Sequence, residues 1–151
     1  ESWKLVVCLI IVYGVAFIGS IFTSGNVGSD WYLQNKPSIT PPAFVFPIVW
    51  NVLFFLIALS LYIAWTEGNK KEKKKVAVAF GINLIANALW SYLFFTLKNP
   101  LFAFIDLLVI LCSLVWIMFV VKKIDKKAFW LLVPYLIWLL FAGFFNFIIV
   151  V

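Results

Sequence analysis

The sequence predicts an all-α membrane protein with five transmembrane helices in a single bundle. Its composition is the first reason, because 66% of the 151 residues are hydrophobic and only 12% are charged. Soluble domains have about 45–50% apolar and about 25% charged residues, so this chain lacks the polar shell that water requires. The second reason is that five apolar runs reach the length of about 20 residues that spans a bilayer. Apolar and polar residues do not alternate along these runs, as they do along the strands of a membrane β-barrel.

The first predicted span, Leu5–Phe22, carries several small side chains. Small residues let a neighbouring helix approach closely, so we interpret these positions as helix packing and not as a ligand site. The small positions of the first span are Gly14, Ala16, Gly19 and Ser20. The second predicted span is Ala43–Trp65.

The remaining predicted spans are Val76–Leu97, Pro100–Val121 and Ala128–Val151. Only Lys98 and Asn99 separate the third span from the fourth, which predicts a tight antiparallel helix pair. Pro134 lies inside the fifth span and should kink it, because proline cannot donate the backbone hydrogen bond of a helix. We expect the five spans to form one domain over residues 1–151.

Ten of the twelve lysines lie at Lys4, in the stretch 67–75 or in the stretch 122–127. The positive-inside rule therefore predicts a cytoplasmic N-terminus and cytoplasmic lysine-rich loops, with the first loop and the C-terminus outside. A bacterial cell membrane is the expected location. Lysines directly beside spans, without arginine, favour a topological role and contact with membrane lipid over nucleic-acid binding.

The loop between the first and second spans, residues 23–42, is predicted to be functional. It is 20 residues long and contains Trp31, Tyr32, Pro37, Pro41 and Pro42. Loops of this length in a compact protein are usually functional. Its prolines should make it stiff, because each one restricts its own backbone and that of the preceding residue.

Polar and aromatic side chains converge in the outer half of the bilayer, beneath this loop. With a helical rise of ~1.5 Å per residue, Trp50, Asn87 and Trp138 lie roughly 11–20 Å from the outer ends of their spans. Asn83 and Asn87 share one stripe of the third span, and amides exposed to lipid would lack partners. Interhelical hydrogen bonding and ligand contact both stay open for these two residues.

Asp106 is the only acid inside a predicted span. An ionisable residue within the membrane is a functional candidate by default. Its position near the outer end of the fourth span favours a structural role instead, as a helix cap or as a partner of Ser, Asn or Tyr on a neighbouring helix.

The sequence contains no histidine and no arginine. Histidine-based metal sites, histidine-dependent triads and arginine clamps are therefore excluded. Cys8 and Cys112 lie inside apolar runs and are interpreted as packing residues. Several aromatic faces with a few amides suit a large, flat, mostly apolar ligand. We expect no metal site and no required cofactor, and a bound porphyrin would be held by stacking, without an axial metal bond.

Four motifs occur in order along the chain. They are Trp31-Tyr32 with Lys36-Pro37 and Pro41-Pro42; Pro47, Trp50 and Phe54; Asn83, Asn87 and Trp90-Ser91; and Pro134-Tyr135, Trp138, Ala142 and Asn146. In register, they resemble the TspO/MBR family of tryptophan-rich sensory proteins and of the translocator protein, or peripheral-type benzodiazepine receptor.

The resemblance implies a five-helix bundle, commonly a homodimer, with a pocket that is closed by the first loop. It implies binding of porphyrins such as protoporphyrin IX and of benzodiazepine-type ligands. Asn83, Asp106 and Asn146 are expected to have a structural or functional role. The pocket residues implied by the motifs are Tyr32, Pro41, Trp50, Phe54, Asn87, Trp90, Trp138 and Ala142.

The function predicted on this basis is an integral membrane receptor or regulator that binds porphyrins. A light-dependent porphyrin-degrading enzyme is an alternative, with Trp50 and Trp138 as the catalytic residues that the resemblance implies. No conventional acid–base or nucleophile set accompanies these tryptophans. A porphyrin or lipid transporter is a further alternative, although the five spans show no inverted repeat.

Overall fold

The computed structural model describes residues 2–23, 29–42 and 44–151. Residues 24–28 of the predicted functional loop and Ala43, the predicted start of the second span, lie outside these ranges. Every regular element within the described ranges is helical. The helices are α1 (Ser2–Thr23), α2 (Asp30–Asn35), α3 (Val45–Glu67), α4 (Lys70–Ser91), a π-helical turn (Tyr92–Thr96), α5 (Pro100–Ile124), α6 (Lys126–Leu131) and α7 (Val133–Val150).

Five stretches of helix are long and apolar enough to cross a membrane, which confirms the predicted fold class. Three of them are single helices, α1, α3 and α5. The third stretch combines α4 with the π-helical turn, and the fifth combines α6 with α7. Helix α2 is an additional short helix in the loop between α1 and α3.

Helix α4 begins at Lys70, six residues before the predicted start of the third span at Val76. A capping box explains the difference. The Asn69 side chain accepts the Glu72 N–H at 2.8 Å, and the Glu72 carboxylate accepts the Asn69 N–H at 2.9 Å. The lysines after Asn69, expected in a loop, are therefore held on helical turns.

The fifth span is interrupted at Leu132, between α6 and α7. Pro134 lies in the first turn of α7 and has no N–H to donate to the carbonyl of Trp130, four residues earlier. The Leu132 N–H instead bonds to the Phe129 carbonyl at 3.0 Å. The helical hydrogen-bonding pattern is thus interrupted before the proline, while Leu132 itself keeps the right-handed helical conformation.

Helices α4 and α5 pack against each other as the predicted antiparallel pair. Lys98 turns the chain between them with φ of 51°, the left-handed conformation. Helix α1 packs on α3 and α4, and α5 also packs on α6 and α7. We call the end beside α2 the loop end. The opposite end, the basic end, carries Lys70, Lys71, Lys73, Lys74, Lys75, Lys122, Lys123, Lys126 and Lys127.

Candidate ligand-binding site

A cavity of about 670 Å³ lies between α1, α3, α4, α5 and α7, with a contribution from α2. Its volume falls within the range of about 300–1,000 Å³ that is typical of small-molecule sites. Seven of the eight residues predicted for the pocket line it, and Pro41 does not. The seven are Tyr32, Trp50, Phe54, Asn87, Trp90, Trp138 and Ala142.

One wall of the cavity is formed by aromatic side chains of α3 and α7. The rings of Trp50 and Phe54, one helical turn apart, stack at 5.3 Å between centroids. The Trp138 ring meets Trp50 edge-on, with centroids 6.4 Å apart and an interplanar angle of 90°. Tyr135 also presents an edge to Trp50, at 6.3 Å. These contacts fix the ring orientations that a flat ligand would meet.

The opposite wall comes from the end of α4 and the π-helical turn. The Leu97 N–H donates to the Tyr92 carbonyl, five residues back, at 2.9 Å. This wider turn lets the consecutive residues Phe94 and Phe95 both be buried. Phe94 stacks on Trp90 at 4.7 Å, and Phe95 lines the cavity. The π-helical turn thus ends the third membrane-spanning stretch beside the cavity.

Helix α2 brings Tyr32 to the cavity at the loop end. The Ser29 hydroxyl caps α2 by accepting the Tyr32 N–H at 3.3 Å. The Tyr32 ring packs on Phe95 at 5.5 Å, and the Trp31 ring meets Phe94 at 5.4 Å. Burial raises the pKa of the Tyr32 hydroxyl above its ordinary value. Aromatic contacts thus anchor this part of the predicted functional loop to the π-helical turn that follows α4.

A chain of hydrogen bonds links the cavity to the helix interfaces behind it. The Asn87 amide, on the cavity wall, donates to the Tyr135 hydroxyl at 3.1 Å. That hydroxyl donates to Asn83 Oδ1 at 2.9 Å. Asn83 Nδ2 in turn donates to Ser113 Oγ at 3.1 Å and to the Ile110 carbonyl at 3.0 Å. Asn83, 1% exposed, therefore joins helices by hydrogen bonds, whereas Asn87 both bonds to a neighbouring helix and faces the cavity.

Asn146 holds the Trp90 indole in place. Its Oδ1 accepts the Trp90 Nε1–H at 3.0 Å, and its Nδ2 donates to the Pro100 carbonyl at 3.0 Å. Asn146 is fully buried and does not line the cavity. Its role within the described residues is structural, because it joins α7 to the ends of α4 and α5.

Asp106 is buried on α5 and lies outside the cavity lining. It does not cap α5, because Asn99 does so by accepting the Phe102 N–H at 3.1 Å. Within residues 2–23, 29–42 and 44–151, Asp106 Oδ2 has no hydrogen-bond partner.

Helix α1 contributes a side of the cavity that the sequence did not indicate. Ala16, Gly19 and Ser20 line it, so the interpretation of these small residues as packing positions alone is wrong. Gly19 does pack closely as well, because a Cβ there would lie 3.7 Å from the Ala88 Cα. The small side chains leave room both for α4 and for the cavity. Tyr13, Phe17 and Thr23 of the same helix also line it.

Among the described residues that line the cavity, none carries a formal charge. The polar groups are amides and hydroxyls, such as those of Asn51, Asn87 and Ser91. The Tyr13 hydroxyl donates to the Asn51 carbonyl at 2.8 Å and ties α1 to α3. Such a lining favours aromatic and apolar surfaces over a bare ion.

The indole N–H groups of Trp90 and Trp138 differ in a way that predicts different stability effects. The Trp90 N–H has Asn146 as its acceptor, whereas the buried Trp138 N–H has no partner among the described residues. Trp90→Phe is expected to lower the free energy of unfolding by about 1 kcal/mol more than Trp138→Phe, because it leaves Asn146 Oδ1 without its hydrogen-bond donor.

Unfolding in mixed micelles, followed by circular dichroism, measures this difference. The two substitutions remove the same atoms, so the loss of ring volume largely cancels in the comparison. Equal destabilisation by both variants would contradict the assignment of the Trp90–Asn146 bond.

Comparison with known proteins agrees with this architecture. The profile of the TspO/MBR family matches residues 6–151. Tryptophan-rich protein TspO of Archaeoglobus fulgidus is 40% identical over 148 residues, covering 97% of this chain and 94% of the relative. The protein of the same name from Chlorobaculum tepidum is 36% identical, with coverages of 96% and 92%. The translocator protein of Bos taurus is 31% identical over 139 residues, with coverages of 87% and 79%. This integral membrane protein therefore belongs to the TspO/MBR family.

Proposed function

We propose that this protein is a membrane receptor or regulator that binds porphyrins of the protoporphyrin IX type in the aromatic cavity. The observation that carries the proposal is the lining itself. Trp50, Trp90 and Trp138 present indole rings from three different helices around one uncharged space. A planar, conjugated macrocycle gains stacking and apolar burial there, while a small polar metabolite would lose its hydration without compensation.

The ligand is held by ring contacts and not through a metal. The sequence has no histidine, and the cavity-lining residues include no cysteine and no acid. The lining does contain the phenols of Tyr13 and Tyr32. The Tyr13 hydroxyl donates to the Asn51 carbonyl, and burial raises the pKa of Tyr32 and so disfavours the phenolate that would bind a porphyrin metal. Protoporphyrin IX and its zinc complex should bind with similar affinity.

The carboxylate edge of a porphyrin is expected to stay at the open mouth of the cavity. No charged group lines the interior, so burying the two propionates there would be costly. The dimethyl ester of protoporphyrin IX should consequently bind about as well as the free acid. A strong preference for the free acid would point to a different binding mode.

A titration in the dark tests the proposal. Protoporphyrin IX added to the protein in micelles should quench tryptophan fluorescence and saturate. Trp138→Ala and Asn87→Leu should each raise Kd about tenfold or more, because they remove a ring face or an amide from the cavity wall.

Trp116→Ala is the matched control for this titration, since Trp116 lies on the exposed surface of α5, away from the cavity. It should bind as the wild type does. If Trp138→Ala and Asn87→Leu bind like the Trp116→Ala control, the porphyrin is not in this cavity.

Light-dependent degradation of the bound porphyrin is a second candidate, favoured by the contact between Trp50 and Trp138. Two oxidisable indoles meet edge-on at 6.4 Å on the wall of one cavity. Illumination in the presence of dioxygen should then bleach the pigment faster with the wild type than with Trp50→Phe/Trp138→Phe. Equal bleaching rates would leave binding without turnover.

A further inference from the structure

The basic end of the bundle concentrates the whole net charge of the chain. The two segments that carry its nine lysines, residues 67–75 and 122–127, also contain Glu67, Glu72 and Asp125, so their net charge is +6. This equals the formal net charge of the protein, +6. The three lysines and three acids elsewhere in the sequence balance each other.

The two lysine-bearing segments are neighbours in space. A Cβ built on Gly68, which joins α3 to α4, would lie 3.5 Å from the Ile124 Cδ1 at the end of α5. The Ser60 hydroxyl of α3 also donates to the Ala128 carbonyl of α6 at 2.8 Å. The ends of α4, α5 and α6 that carry the lysines are therefore adjacent.

Two of the three acids of this surface, Glu72 and Asp125, are engaged in capping helices. The Glu72 carboxylate accepts the Asn69 N–H, and Asp125 Oδ1 accepts the Lys127 N–H at 2.8 Å. Eight of the nine lysines are exposed and Lys73 is half-buried. Lys73 and Lys122 extend over aromatic rings. Their Nζ atoms lie 5.7 Å from the Trp65 ring centroid and 5.1 Å from the Phe129 ring centroid.

The lysines of α4 lie near the N-terminal end of their helix, where positive charges are electrostatically unfavourable. Lys70, Lys71, Lys73, Lys74 and Lys75 occupy five of its first six positions, and the helix dipole presents its positive end at the first turn. Cations there are unfavourable, and they also repel one another. An external array of negative charge would relieve both penalties.

We propose that the basic end is a binding surface for anionic phospholipid headgroups. The surface lies at the ends of helices that are long and apolar enough to cross a membrane, and lysine clusters directly beside such helices attract anionic headgroups. Trp130, 65% exposed on α6, adds an aromatic side chain of the kind that favours the headgroup region. The segments at the loop end carry only Lys36 and Lys98, so selectivity for anionic lipid belongs to one end of the bundle.

Lipid selectivity is measured on protein purified from vesicles of equal phosphatidylglycerol and phosphatidylcholine, by counting the retained lipids of each kind. The wild type should retain phosphatidylglycerol preferentially. The variant Lys70→Gln/Lys71→Gln/Lys74→Gln/Lys75→Gln should lose that preference, with at least about a fivefold drop in selectivity. Lys36→Gln/Lys98→Gln, the control at the loop end, should keep it.

Thermal unfolding in two membranes separates lipid binding from a purely topological role. In phosphatidylcholine, the four-lysine variant should have a higher Tm than the wild type, because repulsion with the helix dipole is removed. In phosphatidylglycerol, its Tm should be lower, because headgroup contacts are lost. Shifts of the same sign in both membranes, or equal retention of both lipids by the wild type, would overturn the proposal.

Two further arms keep the test decisive. Inorganic phosphate added at equal ionic strength should not displace phosphatidylglycerol; displacement would show binding of a free anion instead of a lipid. If the four-lysine variant does not insert, Lys122→Gln/Lys123→Gln/Lys126→Gln/Lys127→Gln replaces it. This second variant is expected to lose the preference for phosphatidylglycerol, and full retention of that preference would contradict the proposal.

Discussion

Asn83→Leu is expected to lower the free energy of unfolding by about 2–3 kcal/mol, because Asn83 takes part in three buried hydrogen bonds between helices. The substitution leaves the Tyr135 hydroxyl without its acceptor and the Ser113 hydroxyl without its donor from α4. Leucine is close to asparagine in size, so the polar contacts change far more than the packed volume. Titration with denaturing detergent, followed by circular dichroism, measures the effect.

A double-mutant cycle isolates the bond between Asn83 and Tyr135. Tyr135→Phe removes the hydroxyl, and combining it with Asn83→Leu removes both partners at once. The coupling energy is expected to be about 0.6–1.7 kcal/mol, the range of hydrogen bonds measured inside membrane proteins. Strictly additive losses would show that the two side chains do not depend on each other.

Ala142→Phe is expected to weaken protoporphyrin IX binding at least about tenfold, because a phenyl ring would occupy space that the ligand needs. Ala142 lines the cavity one helical turn after Trp138. Fluorescence titration in the dark gives the Kd. The variant should remain folded, since the new ring projects into open space and not into the packed core.

Ile137→Phe provides the matched control for the Ala142 variant. It introduces the same residue into the same helix, at a position that is exposed and absent from the cavity lining. Wild-type affinity is expected for it. A similar loss in both variants would mean that α7 as a whole, and not the filled cavity, determines binding.

The five spans could be predicted from the sequence because membrane crossing depends on length and apolar content, which are local properties. The ends of the helices were harder to predict. Helix α4 begins at Lys70 because Asn69 and Glu72 cap each other, and this pattern is visible in the sequence but weaker than the run of lysines around it. The interruption of the helix at Leu132 depends on the backbone hydrogen bonds around Pro134, and hydropathy carries no information about them.

For the candidate site, the tryptophans and asparagines stood out because polar or large aromatic residues recur on one face of a helix. The contribution of α1 did not, because Ala16, Gly19 and Ser20 suit close packing and cavity formation equally well. Their second role depends on how α1 lies beside α3 and α4. The bond between Trp90 and Asn146 likewise joins residues 56 positions apart and has no local signature.

The π-helical turn at Tyr92–Thr96 can be regarded as an α-helix with one residue inserted. Deleting a single residue there would restore the regular ladder and rotate the side chains on one side of the cut by about 100° relative to those on the other. Phe94 and Phe95 could then no longer both point inward, and α2 would lose part of its support. The shape of the cavity is thus encoded partly in the number of residues along this stretch, which is a property that substitutions leave untouched and a one-residue deletion would erase.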